Sequence, residues 1–249
     1  MKGAQQLAPA VALIGGIDPS GLAGLAADLQ VCWAFGARGL PIVAARTAQR
    51  TGQWSSAWPA DPVELQQTLA SLEPVAARKV GMVGSVANAQ LVVAWHDAQP
   101  APLVVDPLLY STSGGWMWPQ QTQAAVRTCF WESLLPRAAI ATPNWLELAW
   151  LSGAATPTDL AQAQALAQAW PCPVLLKGGH APQPWLGQDW LWDGTGWQAM
   201  PQKPQWPTSP RGTGCRLATA LAIGLGRRQP LLQACTAATR WLDQWYYGL

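Results

Sequence analysis

The sequence predicts an α/β protein in which helices cover both faces of a mainly parallel central sheet. Strand-like apolar runs alternate with helical stretches along the whole chain, which is typical of a three-layer α/β architecture. The strand-like runs are apolar throughout rather than at every second position, as expected when both faces of a sheet are buried. Half of the 249 residues are hydrophobic, enough for one large core. With no Gly/Ser-rich linker and no internal repeat, we expect a single domain over residues 1–249.

The first half of the chain begins with a strand, a helix, a strand and a second helix. The strands are predicted in "PAVALIGG" and "LPIVAARTA". Between them, "SGLAGLAADLQVCWAFG" is predicted to be a helix that Ser20 caps and Gly36 ends. Its apolar residues at helical spacing are Leu22, Leu25, Leu29 and Trp33. The second helix, "DPVELQQTLASL", is predicted to have Asp61 at its cap and Pro62 in its first turn.

Further strands are predicted in "RKVGMVGS", "APLVVDP", "AAIATPN" and "PVLLKGGH", with helices between several of them, notably "TDLAQAQALAQAW". Polar and glycine residues collect where these strands end. In a parallel α/β sheet, ligands bind beyond the carboxyl ends of the strands. The common placement of these residues therefore predicts a ligand site along that edge of the sheet.

Composition excludes several classes of protein. Charged residues make up 11% of the chain, the formal net charge is +2, and the arginines are scattered, so we expect no nucleic-acid partner. No apolar stretch is long enough to span a membrane, and the start lacks the features of a cleavable signal. The five cysteines have no CxxC spacing. We therefore expect neither a disulfide framework nor a zinc site, and a cytoplasmic location.

A short glycine loop, "RGTGC", precedes the helical run "RLATALA" near the end of the chain. Unpaired amides at a helix N-terminus bind anions, and Gly212 and Gly214 would allow a phosphate to approach the backbone. Cys215 is either a thiol whose pKa the helix N-terminus lowers or a small, buried cap residue. Arg216 places a cation in the first turn, which is unfavourable unless an anion lies nearby; otherwise it points into solvent.

Seven segments in this order resemble one known family: "IGGIDPSGLAGLAADLQ", "TAQRTG", "KVGMVGS", "VVDPLLYSTSGG", "TPNWLEL", "LLKGGH" and "RGTGC". They are similar to hydroxymethylpyrimidine/phosphomethylpyrimidine kinases of thiamin biosynthesis, in the ribokinase-like superfamily. The resemblance covers about residues 11–242. It implies a ribokinase-like fold, a homodimer, and ATP- and Mg²⁺-dependent phosphorylation of 4-amino-5-hydroxymethyl-2-methylpyrimidine, of its monophosphate, or of both.

The resemblance also implies a role for each matching residue. Asp28 and Gln49 would bind the amino and ring-nitrogen edge of the pyrimidine. The other implied substrate contacts are Gly16, Met82 and Asp106. Gly212, Thr213 and Gly214 would form an anion hole, with Cys215 as general base. The implied ATP and metal contacts are Lys177 and Asn144 for ATP, and Asp106, Asn144 and Glu147 for Mg²⁺ through water.

The chain departs from the family pattern at a few positions. Ile17 replaces a serine, and Arg211 and Arg216 flank the glycine loop where smaller or polar residues are usual. We expect one or both arginines to hold a phosphate of ATP or of the monophosphorylated substrate. A pyridoxal or pyridoxine kinase of the same fold is one alternative function. Another is a non-catalytic sensor or partner subunit that binds the pyrimidine phosphate. These departures favour it, as does the end of the chain soon after its last predicted helix.

Overall fold

A computed structural model describes residues 8–50, 52–111, 114–202, 206 and 210–248. Within them nine strands form one sheet, in the order β3-β2-β1-β4-β5-β6-β7-β8-β9. The strands are β1 Ala10–Ile17, β2 Arg38–Arg50, β3 Gln53–Pro59, β4 Ala77–Val80, β5 Leu103–Val105, β6 Ile140–Ala141, β7 Val174–Leu176, β8 Trp190–Trp192 and β9 Trp197–Ala199. Thr112 and Ser113 of the "STSGG" segment lie outside the described residues.

The six central strands, from β2 to β7 in sheet order, pair in parallel. The strands at the two edges pair antiparallel: β3 with β2, and β8 and β9 beyond β7. Sequence analysis identified the parallel strands but not β3, β8 or β9. Edge strands are buried less completely, and the burial of β3 alternates, so these strands lack the continuous apolar run of the central ones.

Helices cover both faces of the sheet. Their bounds are α1 Gly24–Ala34, α2 Pro62–Ala70, α3 Val86–Ala98, α4 Gln123–Cys129, α5 Trp145–Ser152, α6 Leu160–Gln168, α7 Thr213–Gly226 and α8 Leu231–Tyr247. On one face, α1, α7 and α8 enclose a core with alternate residues of the strands, such as Leu13 and Val104. On the other, helices α2 to α6 pack over the intervening residues, such as Ile14 and Val105. The predicted three-layer α/β fold is confirmed.

The first helix differs from its prediction at its start. Asp18 accepts hydrogen bonds from the backbone N–H of Ser20 (3.0 Å) and from its hydroxyl (2.8 Å). Ser20 thus belongs to a turn that precedes the helix, and α1 begins at Gly24. Of the four apolar residues at helical spacing, only Leu25 is buried, and Trp33 is 84% exposed. The Asp61 cap of α2 is as predicted: its carboxylate accepts from the N–H groups of Val63 and Glu64.

No helix among the described residues is long and apolar enough to cross a membrane. All five cysteines are free thiols, four of them buried and Cys215 partly exposed.

Candidate active site

A cavity of about 730 Å³ lies beyond the carboxyl ends of the parallel strands and reaches the N-terminus of α7. Chain segments that follow five different strands contribute to its wall, which is the placement that the sequence predicted. The predicted site residues that line it are Gly16, Gln49, Met82, Asp106, Asn144, Glu147, Lys177, Arg211, Gly212, Thr213, Gly214 and Cys215. Asp28 and Arg216 are not part of its lining.

The glycine loop lies close to the backbone of Leu22 and Ala23, the two residues directly before α1. Gly212 has a φ of +76°, and a Cβ at this position would lie 2.3 Å from the carbonyl oxygen of Leu22. Helix α7 begins at Thr213, directly after Gly212. A Cβ on Gly214 would lie 3.3 Å from Lys177 Nζ, so the first amides of α7 and a lysine ammonium face the same end of the cavity. This combination suits an anion.

Arg216 anchors this loop from outside the cavity. Its Nη1 donates to the carbonyl oxygens of Leu22 (2.9 Å) and Arg211 (3.1 Å), and its Nη2 donates to Gln30 Oε1 (2.6 Å). The guanidinium also lies over the Trp245 ring, 4.2 Å from its centroid, and the residue is 3% exposed. The predicted phosphate contact of Arg216 is therefore wrong, and so is the alternative that it points into solvent. Its partners include Leu22 before α1, Gln30 on α1 and Trp245 on α8. Because Leu22 lies 194 positions away in sequence, the local sequence could not reveal these contacts.

Replacing Arg216 with threonine is expected to destabilise the protein. The change removes three hydrogen bonds of a buried charged group and its packing against the Trp245 ring, a loss on the order of 3 kcal/mol. Because the Arg211 carbonyl would lose its donor, affinity for ligands with and without phosphate should fall together. Urea unfolding measures the first effect. Arg240→Thr, an exposed position on α8, is the control and should change stability by less than about 0.5 kcal/mol; an unchanged unfolding midpoint in Arg216→Thr would refute the anchoring role.

Gly212→Ala separates backbone conformation from crowding in the glycine loop. Gly36 also has positive φ (+61°), but a Cβ there would meet nothing within 4 Å, whereas at Gly212 it would meet the Leu22 oxygen at 2.3 Å. Both substitutions carry the left-handed backbone cost of about 1–2 kcal/mol. Only Gly212→Ala should displace the loop and lower kcat, by roughly 10²-fold if the displacement is near 1 Å. Steady-state kinetics of both variants would reveal the difference; equal kcat values would contradict it.

Cys215 lies in the first turn of α7 and is the partly exposed cysteine of the five. Burial raises the pKa of the Cys215 thiol, while the positive charge of Lys79 and a hydrogen bond from the Gly24 backbone act in the opposite direction. The alternative that the helix N-terminus lowers the pKa of this thiol is therefore wrong. Desolvation outweighs the helix N-terminus, a balance that depends on packing and not on local sequence.

Lys177 forms a compact charged cluster with two carboxylates. Its Nζ lies 2.8 Å from Asp106 Oδ1 and 3.4 Å from Glu147 Oε2, and the Thr142 hydroxyl donates to Asp106 Oδ1 at 3.1 Å. Burial alone would raise the pKa of Asp106, but Lys177 and Lys79 hold it below its ordinary value. Burial raises the pKa of Glu147 to about 7 despite Lys177. The cluster thus combines one ammonium with one ionised carboxylate and one that titrates near neutrality.

Asn144 and Glu147 form a capping box at the start of α5. The Asn144 side-chain oxygen accepts from the Glu147 N–H (2.9 Å), and Glu147 Oε2 accepts from the Asn144 N–H (2.7 Å). The N-x-x-E spacing therefore has a structural purpose in this chain. The backbone N–H of Asn144 holds the Glu147 carboxylate beside Lys177, while the Asn144 side-chain oxygen is engaged in the cap.

The donor set of this cluster is compatible with magnesium. Across the described ranges, no group of three or more His, Cys, Asp or Glu side chains is placed to hold a metal ion. Mg²⁺, however, often binds proteins through one or two carboxylates and keeps water and phosphate oxygens as its remaining ligands. Asp106 and Glu147 supply two such carboxylates, so they fit a hydrated Mg²⁺ ion.

Gly16 and Met82, which both line the cavity, pack against each other. A Cβ on Gly16 would lie 2.9 Å from Met82 Sδ, and Met82 is 4% exposed. Both residues line the cavity as predicted. The polarizable Met82 sulfur beside a glycine suits contact with an aromatic ring.

Asp28 is fully buried on α1 and does not reach the cavity. Lys79 Nζ lies 2.9 Å from Asp28 Oδ2, and the Thr219 hydroxyl donates to Asp28 Oδ1 at 2.7 Å. The prediction that Asp28 binds the substrate edge is therefore wrong: its carboxylate neutralises a lysine that burial would otherwise discharge. Lys79 is 1% exposed and Asp28 raises its pKa above the ordinary value, so Lys79 stays cationic beneath Cys215 and Asp106.

Asp18, Thr47 and Lys79 line the cavity but were not singled out from the sequence. Lys79 offered a signal, since it interrupts an apolar strand just before "GMVG". Asp18 opens the turn before α1, and its Oδ2 lies 3.3 Å from Arg211 Nη2. The same Arg211 nitrogen donates to Gln49 Oε1 at 2.7 Å. This position favours a role for Arg211 at the Gln49 side of the cavity over the predicted ATP contact.

The family model of phosphomethylpyrimidine kinase matches residues 18–246. This range includes all the residues that line the cavity except Gly15, Gly16 and Ile17. The chain belongs to this family. Curated relatives agree with the assignment. The hydroxymethylpyrimidine/phosphomethylpyrimidine kinase of Streptomyces coelicolor is 34% identical over 94% of this chain and 87% of its own. The enzyme of the same description from Rhizobium meliloti is 33% identical, over 94% and 89%. The resemblance noted from the sequence is confirmed, and this family member is a kinase.

Solved structures share the fold. The phosphomethylpyrimidine kinase of Clostridium difficile aligns with a TM-score of 0.79 at 24% identity, over 95% of this family member and 98% of that chain. The pyridoxal kinase of Bacillus subtilis, in an ADP complex, aligns with a TM-score of 0.80 at 23% identity, over 94% and 89%. The ribokinase-like fold is thus confirmed.

Proposed function

We propose that this kinase transfers the γ-phosphoryl group of ATP to 4-amino-5-hydroxymethyl-2-methylpyrimidine, to its monophosphate, or to both. One observation carries the proposal. One cavity is lined by two sets of residues: Gln49, Gly16 and Met82, and the glycine loop with Cys215 and Lys177. The first set suits a flat ring with a polar edge, and the second suits a phosphoryl group in transfer. Family membership supplies the substrate class.

The ring of the substrate would lie on the surface that Gly16 and Met82 form. Gln49 carries an amide that both donates and accepts hydrogen bonds, so it alone can serve a ring nitrogen and the adjacent amino group. Asp28 is paired with Lys79 and does not reach this edge of the ring. The Gln49 amide can make both hydrogen bonds without it. The hydroxymethyl group would then point towards the glycine loop.

At the loop, the backbone amides of Gly212, Thr213 and Gly214 would bind the oxygens of the phosphoryl group in transfer. Phosphoryl transfer depends mainly on positioning and on neutralising charge, with little covalent work by the protein. Lys177 would meet the phosphates of ATP as a point charge. Asp106 and Glu147 would hold Mg²⁺ through water. The bound ion would neutralise phosphate charge and orient the nucleotide.

Cys215 is the proposed general base. As the substrate oxygen attacks the γ-phosphorus, its proton would pass to the Cys215 sulfur while ADP leaves. The charge of Lys79 favours the thiolate. Burial raises the pKa of the Cys215 thiol, so the positive charge of Lys79 has to offset that cost as the proton is transferred.

A coupled ADP-release assay with ATP and Mg²⁺ tests the proposal. Hydroxymethylpyrimidine, its monophosphate and pyridoxal are assayed separately, with Cys215→Ala as the control. Turnover of either pyrimidine, lost in the variant, supports the kinase and identifies the step. Turnover of pyridoxal alone would assign the alternative function, and tight binding of the pyrimidine phosphate without turnover would assign the non-catalytic one.

We further propose a cytoplasmic homodimer. Family resemblance supports the dimer, and five free thiols are compatible with a reducing compartment. Sedimentation equilibrium of the purified protein measures the oligomeric state.

A further inference from the structure

The side chain of Gln49 is held from two directions. On one side, its Nε2 donates to Thr47 Oγ1 at 3.0 Å. On the other, its Oε1 accepts from Arg211 Nη2 at 2.7 Å. Each partner is itself anchored: the Thr47 hydroxyl donates to the Ile17 carbonyl oxygen at 2.9 Å, and Arg211 Nη2 lies 3.3 Å from Asp18 Oδ2. The amide of Gln49 is thus the middle of a chain of contacts that spans β1, β2 and the glycine loop.

Hydrogen-bond chemistry allows this amide only one orientation. The single hydroxyl hydrogen of Thr47 goes to the Ile17 carbonyl, so Thr47 Oγ1 can only accept from Gln49. Arg211 has donors and no acceptor, so it can contact only the amide oxygen. A flipped amide would set its NH₂ group against the guanidinium and its oxygen against the lone pairs of Thr47. Both neighbours therefore specify the same assignment of oxygen and nitrogen, independently of how the amide is drawn.

We propose that Arg211 and Thr47 are positioning residues that lock Gln49 and thereby select the hydrogen-bond pattern of the substrate ring. The inference rests on the proposed function. Locked, the amide has one lone pair and one N–H left. These match an amino group next to an unprotonated ring nitrogen. A 4-oxo ring presents the opposite pattern, a carbonyl next to a ring N–H, and would need the flipped amide.

The locked Gln49 amide is expected to discriminate strongly against a 4-oxo ring, because binding that ring would leave polar groups of the amide and the ring without hydrogen-bond partners. Sites built to hydrogen-bond a particular group discriminate well against analogues that leave their buried partners unsatisfied. Asp18 holds Arg211 by charge, and Arg211 leads directly into Gly212. The same side chain therefore connects recognition of the ring edge with the loop that would receive the phosphoryl group.

Calorimetric titration with two ligands tests the inference: 4-amino-5-hydroxymethyl-2-methylpyrimidine and its 4-oxo analogue. The parent protein is expected to prefer the amino compound by roughly 10²-fold. Arg211→Met removes the donor, and Thr47→Val removes the acceptor from the other side. Each is expected to reduce the preference at least about tenfold, partly through tighter binding of the 4-oxo analogue. Arg211→Lys, which keeps a donor, should retain more of the preference than Arg211→Met.

Arg50→Met is the matched control: Arg50 is exposed on the same strand as Gln49, and its Nε donates to Gln53. The Arg50→Met variant should prefer the amino compound over the 4-oxo analogue as strongly as the parent protein does. A merely structural effect of the other substitutions would weaken both ligands alike and leave the ratio unchanged, which would overturn the inference while the proposed function stands. Equal binding of the two ligands by the parent would also overturn it, whatever the variants do. Failure of the parent to bind either ligand would instead overturn the proposed function.

Discussion

Cys215→Ala is expected to lower kcat by about two to four orders of magnitude, the usual contribution of a general base, while KM for the pyrimidine changes little. The sulfur lies at the start of α7, beside the amides that would bind the phosphoryl group. Removing it should therefore affect the proton transfer and not the binding surface. Cys215→Ser should not restore the rate, because a serine hydroxyl is a far weaker acid than a thiol and its anion is much harder to form.

Steady-state kinetics with the pyrimidine and MgATP measure this effect. Cys235→Ala is the control, since Cys235 is fully buried on α8 and should affect stability without a comparable loss of kcat. If Cys215→Ala kept the parental kcat and raised only KM, Cys215 would be a packing residue, and the base would have to be sought elsewhere in the cavity.

Lys177→Met is expected to have the second large effect, on both activity and stability. The change leaves Asp106 and Glu147 facing each other without their shared cation. Breaking a buried ion pair by removing one partner costs about 3–5 kcal/mol, although Glu147, with a pKa raised to about 7, can relieve part of the cost by taking up a proton. The kcat for MgATP should fall by about 10²–10³-fold, the size expected for loss of one group that stabilises charge in the transition state.

An exposed ion pair supplies the control for Lys177. Arg137 donates to both carboxylate oxygens of Asp97, at 2.6 and 2.7 Å, yet the two side chains are 31% and 47% exposed. Arg137→Met should cost at most about 1 kcal/mol and leave kcat unchanged. Urea unfolding and initial rates of both variants make the comparison. Similar losses for the two substitutions would show that the Lys177 cluster has no special role.

Much of the architecture follows from short-range patterns. The continuous apolar runs of the central strands, the Asp61–Pro62 start of α2 and the glycine loop before α7 are all visible in the sequence, because burial on both faces and helix capping depend on neighbouring residues. The start of α1 was predicted wrongly. Ser20 is a good cap by residue type, but the Asp18 carboxylate two positions before it draws Ser20 into a turn that precedes the helix.

The sequence by itself determined the fold class, the edge of the sheet at which the cavity lies, the family, and a set of site residues most of which line that cavity. Only the tertiary structure decided which charged side chains face the cavity. Asp28 meets Lys79 and Thr219, which are 51 and 191 positions away, and Arg216 meets Gln30 across 186 positions. A charged group removed from water must pair with whatever the fold brings next to it. Its direction is therefore a property of packing between distant elements, which no local pattern encodes.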